Sequence, residues 1–132
     1  MLFQGAALFD SLTVAENIKY PLIEHGWGTA ERMDERVDEV LHMVGLPGSQ
    51  KLRPSELSGG MKKRVGLARA IAIQPEVILY DEPTTGLDPL NVRRINGLIL
   101  GLQKQLGVTS IVVTHDMDAC FTVTNQIGRA HV

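Results

Sequence analysis

A chain of 132 residues, 44% apolar and 21% charged, has the size and make-up of one globular domain with a real core. A formal net charge of −2 gives no general basic field, which disfavours nucleic-acid binding by bulk electrostatics. The lone Cys120 cannot close an internal disulfide, and His25, His42, His115 and His131 lack metal-ligand spacing. No apolar run approaches the roughly 20 residues needed to cross a bilayer, so the reading is a cytosolic chain that reaches a membrane only through a partner.

In chain order, Met1 to Leu8 reads as the end of a strand running into a loop at Gln4-Gly5. Thr13 offers an N-cap for a short helix through Val14, Asn17 and Ile18, which Pro21 is expected to interrupt. A loop with Gly26 and Gly28 leads to a second N-cap, Thr29. The helix after it repeats Met33, Val37, Val40, Leu41 and Val44 at helical spacing and ends at Gly45. Its charges, Glu31, Arg32, Asp34, Glu35, Arg36, Asp38 and Glu39, read as a solvated face.

After Pro47-Gly48 and a turn at Pro54 comes Leu57-Ser58-Gly59-Gly60-Met61, then a helix through Val65, Leu67, Ala68 and Ile71 that stops before Pro75. Val77 to Tyr80 is a short apolar run of the kind buried on both faces of a parallel sheet, and it ends at Asp81-Glu82. A helix follows Pro89. Val108 to Thr114 is a second β-branched strand, ending at His115-Asp116. Strand, helix, strand with polar residues at the strand carboxyl ends predicts an open parallel α/β sheet whose ligands sit at that edge.

Several positions suit chemistry. An acidic pair closing a buried strand can hold magnesium through Asp81 and take a proton from water through Glu82, although strand ends are also acidic simply for solubility. Ser58-Gly59-Gly60 at a helix start lets backbone amides and a hydroxyl approach an anion, or serves as a plain N-cap. His115 at the second strand end fits a phosphate contact or a structural hydrogen bond. Gln4 fits a metal-bound water or a surface loop.

The succession Gln4, Leu57-Ser58-Gly59-Gly60, Val77 to Glu82, Gly86-Leu87-Asp88 and His115 closely resembles the ATP-binding-cassette (ABC) ATPases, over about residues 1 to 126. The resemblance implies a partial P-loop NTPase fold of the α/β class, with parallel core strands and a helical signature subdomain at about 8 to 74. It implies ATP and magnesium as ligands, a membrane permease and a second, head-to-tail ATPase subunit as partners, and no nucleic acid. By position, Gln4 matches the Q-loop glutamine that senses the γ-phosphate and magnesium. Ser58, Gly59 and Gly60 match the signature that binds nucleotide in trans, with Met61 where many relatives have glutamine. Asp81 and Glu82 match the Walker B metal residue and catalytic base, Asp88 the D-loop aspartate of dimer communication, and His115 the switch histidine. The implied location is the inner face of the membrane, held there by the permease.

A P-loop needs G-x-x-x-x-G-K-[ST] between a strand and a helix. The nearest stretch, Gly45 to Leu52, has Gln50 where glycine is required and Leu52 where a hydroxyl is required, and it follows a helix. The expectation is a chain truncated upstream of Met1 and without ATP turnover of its own. The tail Ile127 to Val132 coincides with one reading frame of a common sequencing adapter and is expected to be non-native. Met1 to Val14, Asn17 to Leu22 and Pro54 to Met61 look like the Mla-type phospholipid-transport (toluene-tolerance) ATPases. Thr84 to Pro89 is common to many importers, which keeps an amino-acid importer as the alternative. A non-transport ABC protein acting on DNA or ribosomes is a further one, although the chain has neither heptads nor a second signature.

Overall fold

The computed structural model describes residues 2–3, 8–81, 86–107 and 109–113, with side chains described over 8–78 and 86–107. The chain forms two compact units, Ala6–Gln74 and Met1–Gly5 with Pro75–Val132.

The unit Ala6–Gln74 is built on three helices, α1 (Val14–Glu24), α2 (Ala30–Met43) and α3 (Gly59–Ala72), with a single 3-10 turn at Pro54–Glu56. Each helix starts where the sequence places a hydroxyl. Thr13 forms a full capping box with Glu16, Thr29 accepts the amide of Arg32, and Ser58 accepts that of Met61. Two further amides of α1 are satisfied from a distance, Val14 donating to the Leu52 carbonyl at 2.7 Å and Ala15 to that of Gln50 at 3.0 Å. Helix α1 presents Val14, Ile18 and Leu22 at four-residue spacing, α2 presents Val37, Val40 and Leu41 with Val44 just past its end, and α3 presents Val65, Leu67, Ala68 and Ile71; all are buried. The three helices contact one another pairwise around this core. Each large aliphatic side chain so buried contributes about 1.5–3 kcal/mol.

Two expectations need correcting here. Pro21 does not interrupt α1, which continues to Glu24. Pro21 and Leu22 are both buried, and the helix then closes with amides of His25, Gly26 and Trp27 bonded back to Pro21, Ile23 and Leu22, so packing and capping outweigh the one backbone bond that proline removes. Arg36 does not belong to a solvated face either. It is 5% exposed, because its guanidinium reaches carbonyls at the end of α3.

The other unit holds a parallel three-stranded sheet of order β1-β2-β3, where β1 is Leu2–Phe3, β2 is Val77–Asp81 and β3 is Thr109–Val113. Leu2 and Phe3 pair with Ile78 and Leu79, and the β2–β3 register runs from Val77 opposite Thr109 to Asp81 opposite Val113. Parallel neighbours need a long crossover. Helix α4 (Pro89–Leu106) supplies it between β2 and β3, with Asp88 as N-cap, Pro89 in its first position and Gly107 closing it at φ 68°. Ile95, Asn96, Ile99 and Leu102 form its buried stripe. Among the described residues no helix is long and apolar enough to cross a membrane.

Candidate functional site

The serine turn stands at the surface of the helical unit. Ser58 and Gly59 are exposed and Gly60 is buried. The chain enters extended at Leu57 and Ser58, which points the first amides of α3 outward along its axis. A helix start leaves four amides without intrahelical acceptors. Here the Ser58 Oγ takes the amide of Met61 at 3.1 Å, and the amide of Lys62 already bonds the Ser58 carbonyl at 2.9 Å. Among the described residues the amides of Gly59 and Gly60 have no acceptor, that of Gly59 lies on an exposed residue, and a hydroxyl that accepts still has a proton to donate. No acidic residue lies in the first turn, so nothing on the helix itself opposes an anion there.

The carboxyl ends of β1, β2 and β3 share one edge because all three strands run parallel. Asp81 is the last residue of β2, opposite Val113. Gln4, Glu82 and His115 follow the three strand ends in sequence and lie outside the described residues, as does the side chain of Asp81. Asp88 is exposed, and its structural work is local: Oδ1 accepts the amide of Asn91 at 2.8 Å and Oδ2 the Asn91 side-chain amide at 3.4 Å. Among the described residues no three metal-ligating side chains come together.

The far end of α3 carries residues that the sequence reading did not single out. Arg36 donates through Nε to the Ala72 carbonyl at 2.8 Å and through Nη2 to that of Ile71 at 2.9 Å, while Nη1 meets Glu39. In return Arg64 of α3 donates to the Val44 carbonyl at 2.9 Å, just past the end of α2. The two helices thus run antiparallel, each supplying an arginine to the other's carboxyl end. Trp27 lies beneath the guanidinia of Arg32 and Arg36, at 5.0 and 5.7 Å. One signal was available in the sequence: Arg36 sits four residues before Val40 on the apolar stripe, and α3 runs into Pro75 with no glycine to close it.

The ABC transporter family profile matches residues 1–85, more than half of the chain. The chain belongs to the ABC transporter family. MlaF, the intermembrane phospholipid transport system ATP-binding protein of Escherichia coli K12, is 46% identical over 126 residues, covering 96% of this ABC chain and 47% of MlaF. The methionine import ATP-binding protein MetN 2 of Rhodococcus jostii RHA1 is 44% identical over 128 residues, covering 97% of this chain and 37% of MetN 2. The ABC chain therefore spans less than half the length of these relatives. Among solved structures it resembles the ATP-binding cassette MJ0796, in a dimeric post-hydrolysis state bound to ADP and Pi, with a TM-score of 0.77 and 36% identity over 91% of this chain and 54% of that one. The fold is that of the ABC ATPase cassettes, a P-loop NTPase fold, as the sequence implied.

Proposed function

We propose that this ABC chain is the signature-bearing part of the ATPase subunit of a transporter, extending over residues 1–126 with a helical signature subdomain at about 8–74. One observation carries the reading. In a chain of this family, the Ser58-Gly59 turn is exposed at the amino end of a helix whose first two amides, of Gly59 and Gly60, have no acceptor among the described residues. Donors fixed in this way suit the γ-phosphate of an ATP held by a second cassette, where preorganised N–H and O–H groups stabilise transferring charge. Asp81 would hold magnesium, Gln4 would touch it directly or through water, Glu82 would act as the base and His115 would contact the γ-phosphate. Asp88 would carry communication across the dimer. ATP with magnesium supplies the phosphoryl group and the charge that these residues act upon.

The partners in this reading are a second ATPase subunit, packed head to tail, and a membrane permease that keeps the subunit at the inner face of the membrane. Phe9 supports the second partner: it is 43% exposed and rests against the exposed Tyr20 of α1 with ring centroids 5.1 Å apart. We assign the cargo to phospholipid, in line with the likeness to MlaF. The comparable likeness to MetN 2 favours a second reading, import of an amino acid.

The chain by itself is expected to lack ATP turnover, since its sequence contains no P-loop. Magnesium-dependent hydrolysis by the purified chain, absent from a Glu82→Gln control, would contradict this. For the transport role, the test is co-purification of the full-length protein with a permease. A lipid-binding partner in that complex supports phospholipid, an amino-acid-binding partner supports the second reading, and salt-sensitive binding to nucleic acid without any permease removes both.

A further inference from the structure

We propose that Arg36 is a positioning residue for the Ser58 turn, holding by its far end the helix that carries it. The inference rests on the reading of Ser58 given above. It starts from a difference between helix ends. Helices α1 and α2 close in the same way: Gly26 (φ 65°) and Gly45 (φ 77°) donate to Ile23 and His42, and the next residues, Trp27 and Leu46, return their amides to Leu22 and Leu41. Helix α3 ends on Gln74, at φ 57°, and then Pro75. Gln74 still donates to the Ile71 carbonyl, as Gly26 and Gly45 donate in their helices, but proline has no N–H, so the second bond, which would reach Ala70, cannot form. The Arg36 fork bonds the two carbonyls that follow, Ile71 and Ala72, and so fastens this end of α3 from α2.

This arrangement fixes direction as well as satisfying carbonyls. Arg36 is nearly buried, so sliding or rolling α3 against α2 would strand a desolvated charge. Arg64 adds a second fixed point from α3 to Val44. The face that α3 buries combines Val65, Leu67 and Ile71 with the small Gly66, Ala68, Ala70 and Ala72, and the directional bonds add to the register that the large side chains set. A helix of this length extends about 21 Å, so a tilt of about 3° about the clamp displaces Ser58 by about 1 Å. A misplacement of about 1 Å at a reacting centre can lower a rate about 100-fold.

The test uses the full 132-residue chain with full-length MlaF of E. coli as the nucleotide-holding partner, and measures association with and without ATP and magnesium. Arg36→Met should weaken ATP-dependent association at least about 10-fold and leave nucleotide-free association unchanged, while Arg36→Lys, which keeps the charge but loses the fork, should fall between. Leu41→Ala, compared at equal distance below its own Tm, controls for loss of stability. An equal weakening by Leu41→Ala, or none by Arg36→Met, overturns the proposal. Ser58→Ala separates it from the reading beneath: if Ser58→Ala has no effect, or the unsubstituted chain shows no ATP-dependent association, that reading fails. If Ser58→Ala weakens association and Arg36→Met does not, only the role of Arg36 fails. Should Arg36→Met not fold, Arg36→Lys and Arg64→Met carry the same comparison.

Discussion

Gly26 and Gly45 occupy equivalent places at the ends of α1 and α2, yet alanine should be tolerated differently at the two. Both have positive φ, 65° and 77°, and a left-handed alanine costs about 1–2 kcal/mol at either. A methyl group built on Gly26 meets nothing within 4 Å, whereas one on Gly45 comes within 2.9 Å of the Arg64 Nη1. That guanidinium is the end of a flexible side chain and can swing away, but only by giving up its bond to the Val44 carbonyl. A hydrogen bond from a charged donor is worth about 1.5–3 kcal/mol, and escape of the freed end to water lowers the loss to about 1–2 kcal/mol. Gly26→Ala should therefore destabilise by about 1–2 kcal/mol and Gly45→Ala by about 2–4 kcal/mol. Urea unfolding followed by the fluorescence of Trp27, the one tryptophan in the chain, measures both. On an Arg64→Met background the two substitutions should converge. Equal losses in the unsubstituted chain, or a difference that survives Arg64→Met, would refute the assignment of the extra cost to this contact.

Asn96 is 5% exposed in α4 and its Oδ1 has no hydrogen-bond partner among the described residues, so Asn96→Leu should raise Tm in calorimetry by a few degrees, on the order of 1 kcal/mol, by removing a stranded acceptor and improving helix propensity. Asp88→Ala should cost about 1 kcal/mol through loss of the α4 cap, while Asp88→Asn keeps the acceptor for Asn91 and should be nearly neutral in the same denaturant titration. The Glu16 carboxylate is held below the ordinary glutamate range first by the Thr13 amide, then by the Thr13 hydroxyl. A folded value below the unfolded one means that its contribution is complete above the ordinary range and disappears as pH falls through the depressed value. A Glu16→Gln variant should thus be less stable than the parent near neutral pH and converge with it in acid; a gap that widens in acid would contradict the sign.

What the sequence made legible is what short-range physics decides. Thr13, Thr29 and Ser58 start their helices and Gly45 ends one, because a cap and its amide lie three residues apart in the chain. The apolar runs at Val77 and Thr109 became adjacent parallel strands for a similar reason, since β-branched runs separated by a helix have few other arrangements. The serine turn was legible from residue type and spacing. Pro21 and Arg36 were not, because their fates depend on distant partners. Local rules stop a helix at Pro21, and the burial of Pro21 and Leu22 together with the capping bonds beyond them overrides those rules. Arg36 sits among six other charges on α2, and what removes it from solvent lies 35 and 36 residues away.

Apolar burial alone does not explain why the helical unit directs the buried Arg36 and the partly buried Arg64 at backbone carbonyls. The hydrophobic effect is non-directional, and Gly66, Ala68, Ala70 and Ala72 on the buried face of α3 resist a small shift less than Val65, Leu67 and Ile71 do. A guanidinium fork bonded to two successive carbonyls admits no such shift, because its donors fit one spacing only. In α3 that constraint acts on the last turn, while the exposed serine and glycine occupy the first. A helix is stiff enough to carry the constraint along its length. A turn that must meet a ligand from outside the chain gains from being aimed before the ligand arrives, since less ordering then has to accompany binding. The arginines therefore serve the open end of the helix through the closed one.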